Sequence, residues 1–421
     1  MTNYSKLGYQ IKREIMNFTQ KICIGLKRPE LKLICNMSYG ILESNSCHLS
    51  KISRALKEEI TLKKTIERLS LGLISFTDKA ALMDNYIESI KPSVDERTIF
   101  VVDGSDVTKP CSTAMEGLAI VRDGSTGELK PGYWTFEIAA LTKSQKAPLP
   151  VYERVYSTKE EDFISEDNEV LKGLKYISQK FGNIGIKALD RGYDALTYYE
   201  YFIKASEKFI IRAKKNRDVK HKGETINIFK LANEYKGKYR IDFESKKGTK
   251  KECKISVIPI TLPKYPNVPL NLVVAYGFGK DPMMLLTNLK SEDKRLALTI
   301  TKVYLMRWRI EEYFKFKKNQ FDFEDFRVRS LNAIRTLHLI ATVLTGLIAL
   351  FAEKASESSF VSELIYESKR IYKPKKKKGK TKFTFYAIAD GIYTVLMKST
   401  VGIAHFLAVQ KPSDQLSFFT A

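Results

Sequence analysis

Only two tryptophans stand among the 421 residues, and the five cysteines are scattered: Cys23, Cys35, Cys47, Cys111 and Cys253 include no CxxC pair. Disulfide scaffolds and structural zinc sites need tighter spacing than this, so neither holds the chain together. The four histidines, His48, His221, His338 and His405, are equally dispersed, and all nine side chains read as packing or surface residues. Long apolar runs are lacking too. The most apolar helix candidate, 337–351, contains His338, Thr342 and Thr345 and falls short of the roughly 20 residues that span a bilayer. It reads as a core or dimer-interface helix. The opening MTNYSKLGYQIKREIMNF is polar throughout and has no charged segment followed by an apolar one, so no signal peptide is expected. The expected location is the cytoplasm, with no membrane partner.

Acidic residues are in short supply as well. Against 71 Lys and Arg there are 48 Asp and Glu, which gives a formal charge of +23. Such an excess favours an anionic polymer as partner, through the release of counterions from phosphates, and says nothing about sequence preference. With 44% hydrophobic residues the chain can bury a substantial core. Its length exceeds that of the usual single domain and predicts a core with one or two appended domains.

Three regions follow from the hydrophobic period. Residues 1–94 carry helical patterns and no convincing strand, such as Leu49, Ile52, Leu56, Ile60 and Leu62. Within them, Ser50, Lys51, Arg54, Lys57, Lys63, Lys64 and Arg68 alternate with apolar positions across a break. That arrangement suits a helix-turn-helix DNA reader and a plain basic bundle equally. From residue 95 to 329 the pattern turns strand-like and then alternates: IFVVD, GLAIVRD and YWTFEIAAL predict a three-strand meander. A helix over 163–181, a strand over 184–190, a helix over 195–206 and a strand over 208–213 come next. At about 218–282, KYRIDFES, KECKISVIPI and LNLVVAY predict a β-rich insertion. Residues 330–421 return to helix, interrupted by the basic run KPKKKKGKTK over 373–382, which reads as a loop suited to phosphate contact.

The chemistry concentrates in KVYLMRWRIEEYFKFKKNQ. The spacing predicts a helix, on which Tyr304, Arg307, Glu311 and Lys318 fall within a sector of about 60°. Glu312 would stand about 80–100° away and Lys317 nearly opposite. A carboxylate among cations is what a site requires if it holds a divalent metal and also grips phosphates. A solvated face with i,i+4 pairs would give the same spacing. Upstream, the apolar runs 99–102 and 184–189 each end at an acid, Asp103 and Asp190, where open α/β sheets place functional groups. Read singly, Asp103 is a turn residue before Gly104 and Asp190 a helix cap. Asp106 and Asp194 are nearby alternatives as metal ligands.

The pattern Tyr-x2-Arg-x3-Glu-x6-Lys resembles the YREK signature of DDE transposases from bacterial insertion sequences, and with Asp103, Asp190 and LLTNL the resemblance covers about residues 95–330. It implies an α/β fold: an RNase H-like mixed-sheet core with a β-rich insertion between helical N- and C-terminal regions. It also implies metal-dependent cleavage and strand transfer, in which Asp103, Asp190 and Glu311 bind two Mg2+ ions, with Mn2+ as a substitute. Tyr304, Arg307 and Lys318 would then hold DNA phosphates. The implied partners are terminal inverted repeats, target DNA and a second copy of the chain in a synaptic homodimer at the bacterial nucleoid. Residues 1–94 would bind DNA ends, and the C-terminal region would serve dimerisation and DNA contacts. Relatives stack a tryptophan of the insertion on a flipped base. No tryptophan lies here, which leaves Phe229, Tyr235, Tyr239, Phe243 or Tyr276. A catalytically inactive DNA-binding descendant and a nuclease that cuts without joining remain alternatives.

Overall fold

Strand propensity that begins at residue 99 produces the centre of a twelve-stranded mixed sheet. The computed structural model describes residues 4–244, 250–290, 293–371 and 383–404. Helices come first: α1 (Tyr4–Ile22), α2 (Arg28–Ser44), α3 (Leu49–Leu56), α4 (Leu62–Ser75) and α5 (Lys79–Ile90). The next strands are β1 (Ile99–Thr108), β2 (Ala119–Arg122), β3 (Leu129–Leu141) and β4 (Leu149–Tyr156). An alternating unit then runs α6 (Glu166–Phe181), β5 (Ile186–Leu189), α7 (Leu196–Ala205) and β6 (Phe209–Arg212). Ser165 starts α6 by accepting from the Asn168 N–H, and Glu166, Asp167 and Glu169 complement the positive end of its dipole.

The core strands lie in the order β4, β3, β1, β5, β6. The first three pair antiparallel, and β5 and β6 run parallel to β1. That order and direction define an RNase H-like core. Residues 99–102 are buried on both faces because β1 is central. The third core strand is β4, which the sequence reading did not predict, since Pro148 and Pro150 look like breakers. Proline is tolerated there because β4 lies at an edge and pairs across a bulge near Ile138. The run GLAIVRD forms only the short β2, which pairs with the beginning of β3.

The insertion supplies β7 (Asp218–His221), β8 (Glu224–Asn227), α8 (Ile228–Glu234), β9 (Tyr239–Glu244), β10 (Lys250–Leu262) and β11 (Tyr265–Tyr276). Through β12 (Met283–Thr287) these strands join β6 and extend the core sheet. Next come α9 (Lys294–Met306) and α10 (Arg309–Gln320), which are separate helices where the sequence predicted one. At Arg307–Trp308 the backbone tightens, and Arg307 N–H donates to Tyr304 O, three residues back.

The C-terminal helices are α11 (Leu331–Glu353), α12 (Ser359–Ile371) and α13 (Thr384–Met397). α11 begins earlier than the sequence reading placed it, capped by Ser330, and its 23 residues are long and apolar enough to cross a membrane. In this structure its surface is covered by the chain itself: it packs on β4, α2, α4, α5 and α13. α13 in turn packs on α1 and α2, so both helical ends share one layer. The run 373–382 and His405 lie outside the described residues.

Candidate active site

Strand register puts two acids side by side. The parallel ladder between β1 and β5 ends at Val102 opposite Leu189, and the next residue on each chain is Asp103 or Asp190. Asp190 follows the end of β5, whereas β1 continues through Asp103 to Thr108. Asp103 is therefore not a strand terminus; it stands where β1 outlasts its parallel neighbour. A helix-cap role does not account for Asp190, whose side chain makes no capping bond and reaches only the N–H of the next residue, Arg191, in the turn that follows.

The bend between α9 and α10 brings the remaining groups over these acids. Arg307 Nη1 lies 2.7 Å from Asp103 Oδ2, and its Nη2 lies 3.6 Å from both Asp190 Oδ2 and Glu311 Oε1. The Tyr304 hydroxyl donates to Asp190 Oδ1 at 2.9 Å. Three carboxylates from three segments thus face one guanidinium. Burial pushes the Asp103 carboxyl up to about 6, against the pull of Arg307. Burial also acts on Asp190, but Arg307, the Arg191 N–H and the Tyr304 hydroxyl outweigh it and hold this carboxyl below its usual range. Burial and the charge of Asp190 raise the Tyr304 phenol to about 12, so it stays a hydrogen-bond donor.

Lys318 does not join this group. Its ammonium lies 3.6 Å from Asp106 and 3.0 Å from Glu324. The two alternative acids are engaged elsewhere. Asp194 is buried, accepts from the Tyr199 hydroxyl and the Lys214 N–H at 2.7 Å, and pairs with Arg217. Asp106 accepts from the Gly124 N–H at 3.1 Å. Glu312 turns aside to Lys315. Lys317, directed away from the sector, enters the core and meets Glu137 and His338. The sequence reading missed that cluster, although Glu137, an acid inside an apolar strand run, signals a partner.

The donor chemistry suits a hard divalent cation, since carboxylate oxygens are the ligands Mg2+ and Mn2+ take. As placed, the acids are spaced by the guanidinium, and among the described residues no three His, Cys, Asp or Glu are grouped to share one ion. They already direct their oxygens at one cation, that of Arg307. Of the aromatic candidates, Tyr235 and Tyr276 are tied by their hydroxyls to His221 and Ala232. Phe229 is half-buried near the Lys215 ammonium, Tyr239 is half-buried, and the Phe243 side chain lies outside the described residues.

The model of the transposase DDE domain matches residues 167–345, less than half of the chain. The match includes Asp190, Tyr304, Arg307, Glu311 and Lys318, and begins after Asp103. No curated protein matches. Among solved structures, the chain is similar to a piggyBac transposase in a synaptic complex with hairpin DNA, at 10% identity and a TM-score of 0.48, over 98% of this chain and 82% of that one.

Proposed function

We propose that the protein is a DDE transposase of an insertion sequence, which cuts DNA at the ends of its element and joins them to a target. The observation that carries this reading is the convergence of Asp103, Asp190 and Glu311 on one cationic group at the end of an RNase H-like sheet. The transposase domain match over residues 167–345 supports it, and so does the charge of +23. Asp103, Asp190 and Glu311 are the residues that would hold the divalent ions. Such ions, when bound, acidify an attacking water or 3′-hydroxyl and neutralise charge on the diester.

The chain's own groups do the rest. Arg307 exchanges its carboxylate partners for a phosphate of the bound end, where its planar fork can donate two parallel hydrogen bonds. Tyr304 keeps Asp190 oriented through its hydroxyl on Oδ1, and Oδ2, now paired with Arg307, would ligate once Arg307 has turned to the phosphate. Lys318, part-exposed beside Asp106, contacts a phosphate further along the strand. The substrate would be terminal repeats held by a dimer. The test is a labelled duplex built from DNA flanking the gene, incubated with Mg2+ and a target plasmid. Cleavage with joining is the expected result. Binding without cleavage would support an inactive descendant, and cleavage without joining a nuclease.

A further inference from the structure

Directly behind the acids lies a polar cluster sealed from solvent. Glu137 and His338 are each 1% exposed, Lys317 is 3%, and Tyr313 and Thr342 are fully buried. The Lys317 ammonium lies 2.5 Å from Glu137 Oε2, 2.9 Å from His338 Nε2 and 3.2 Å from the Thr342 hydroxyl. The Tyr313 hydroxyl donates to the same Glu137 oxygen, and His338 bridges Glu137, at 3.2 Å, to Glu153. Four elements meet here: β3 gives Glu137, β4 gives Glu153, α10 gives Tyr313 and Lys317, and α11 gives His338 and Thr342.

Stability is a poor reason for such a cluster. Buried ion pairs lose in desolvation much of what they gain in attraction, and apolar residues of similar volume often serve as well or better. Direction is what charges add. Apolar faces such as those of Ile310 and Phe316 tolerate sliding, whereas an ammonium held by the Glu137 carboxylate and the Thr342 hydroxyl beside His338 does not. The position of the cluster makes that restraint useful. Glu137 is the cross-strand partner of Asp103, and Tyr313 and Lys317 follow Glu311 on α10 by two and six residues. The network therefore ties the strand beside the first acid to the helix that carries the third.

We propose that Lys317, through Glu137, Tyr313 and His338, is the positioning group that fixes α10 along β3 and sets the Glu311 carboxylate against Asp103. This rests on the transposase reading above. A slip of α10 by one residue would shift Glu311 by about 1.5 Å and rotate it by about 100°, and misplacement near 1 Å can cost about a hundredfold in rate.

The test uses full-length protein and the double variant Glu137→Gln/Lys317→Met, which removes one charge of each sign. Four quantities are compared: the thermal melt, anisotropy with the labelled end duplex, Mn2+ affinity from the electron paramagnetic resonance of free ion, and single-turnover cleavage. The expected outcome is a folded protein whose DNA affinity stays within about twofold. Its Mn2+ affinity should fall about tenfold and its cleavage about 10- to 100-fold. A folded double variant with wild-type Mn2+ affinity and wild-type cleavage would overturn the proposal and leave the cluster purely structural. Should the double variant fail to fold, Thr342→Val removes one acceptor of Lys317 and no charge. A fall of about threefold or more in both quantities is expected there, and unchanged values would overturn the proposal. Failure of the underlying reading looks different: Asp103→Asn would then cleave like wild type.

Discussion

Arg307→Gln should tighten, not weaken, the binding of Mn2+ to the DNA-free protein. The guanidinium engages oxygens of Asp103, Asp190 and Glu311 at 2.7–3.6 Å, and a divalent ion would need the same carboxylates. One such pair at 3.6 Å is attracted by about 4–5 kcal/mol at an effective dielectric constant near 20. The acids are not sealed, with side-chain exposures of 25%, 37% and 53%. Screening by solvent and the desolvation already spent reduce the net value of the three pairs to about 1–2 kcal/mol. Removing that competitor should strengthen Mn2+ binding about 5- to 30-fold. Loss of Arg307 also lets the acids repel one another, which opposes the gain; competition wins because the guanidinium sits on the ligating oxygens. Mn2+ titration followed by the resonance of free ion measures this, and Asp103→Asn in the same background should abolish the added affinity. With DNA bound the sign reverses: cleavage should fall in Arg307→Gln and also in Arg307→Lys, whose ammonium cannot supply two parallel donors. Unchanged or weaker Mn2+ affinity in Arg307→Gln would refute the reasoning.

Asp103→Asn, Asp190→Asn and Glu311→Gln should each lower single-turnover cleavage by about a hundredfold or more while preserving end binding. Glu312→Ala should remain active, because its carboxylate faces Lys315; the reverse pattern would contradict the assignment of the third acid. Tyr304→Phe should slow the first nick as well as the later steps, because its hydroxyl orients Asp190; nicking, second-strand cleavage and joining are followed separately, and a wild-type first nick would count against that role. Binding dominated by phosphates predicts that log K falls with log salt by about 0.9 per phosphate neutralised, and an affinity indifferent to salt would exclude it. Burial raises the Glu137 carboxyl, but Lys317 and His338 outweigh burial and hold it at about 2, with Tyr313 and, through His338, Glu153 completing its surroundings. A depressed carboxylate contributes stability present above its ordinary value of 4.5 and lost as pH falls toward 2. Urea melts of Glu137→Gln should therefore depend less on pH across that window, and equal slopes would count against the pairing.

Much of the core was legible because its strands are buried on both faces and read as continuous apolar runs. The order of acids along the chain was visible for the same reason, since Asp103 and Asp190 end such runs in sequence. What ends the run is not always what ends the strand: β1 continues to Thr108 because β3 still pairs with it, a fact about the partner that local sequence does not carry. β4 was hidden by its prolines, which only an edge position makes acceptable. The Glu137 cluster was hidden differently. Its members come from four separate elements, and on α11 the local trace is His338 and Thr342, four residues apart on a mainly apolar helix.

The bend at Arg307 also decides how far a spacing argument reaches. Tyr304 and Arg307 are three residues apart and Arg307 and Glu311 four, so each pair stays adjacent whether the helix is continuous or tightened between them. All three accordingly meet Asp103 or Asp190, or each other, around one guanidinium. Lys318 follows Glu311 by seven residues, two turns on the same face and about 10 Å further along the axis. Sharing a sector with Glu311 does not bring it to the acids, and it pairs with Asp106 and Glu324 instead. Angular position on a helix identifies which side chains face one partner; axial rise decides which can share a single ion or phosphate. For this chain the first criterion selects four residues and the second keeps three, with Lys318 left about two helical turns from the group around Arg307.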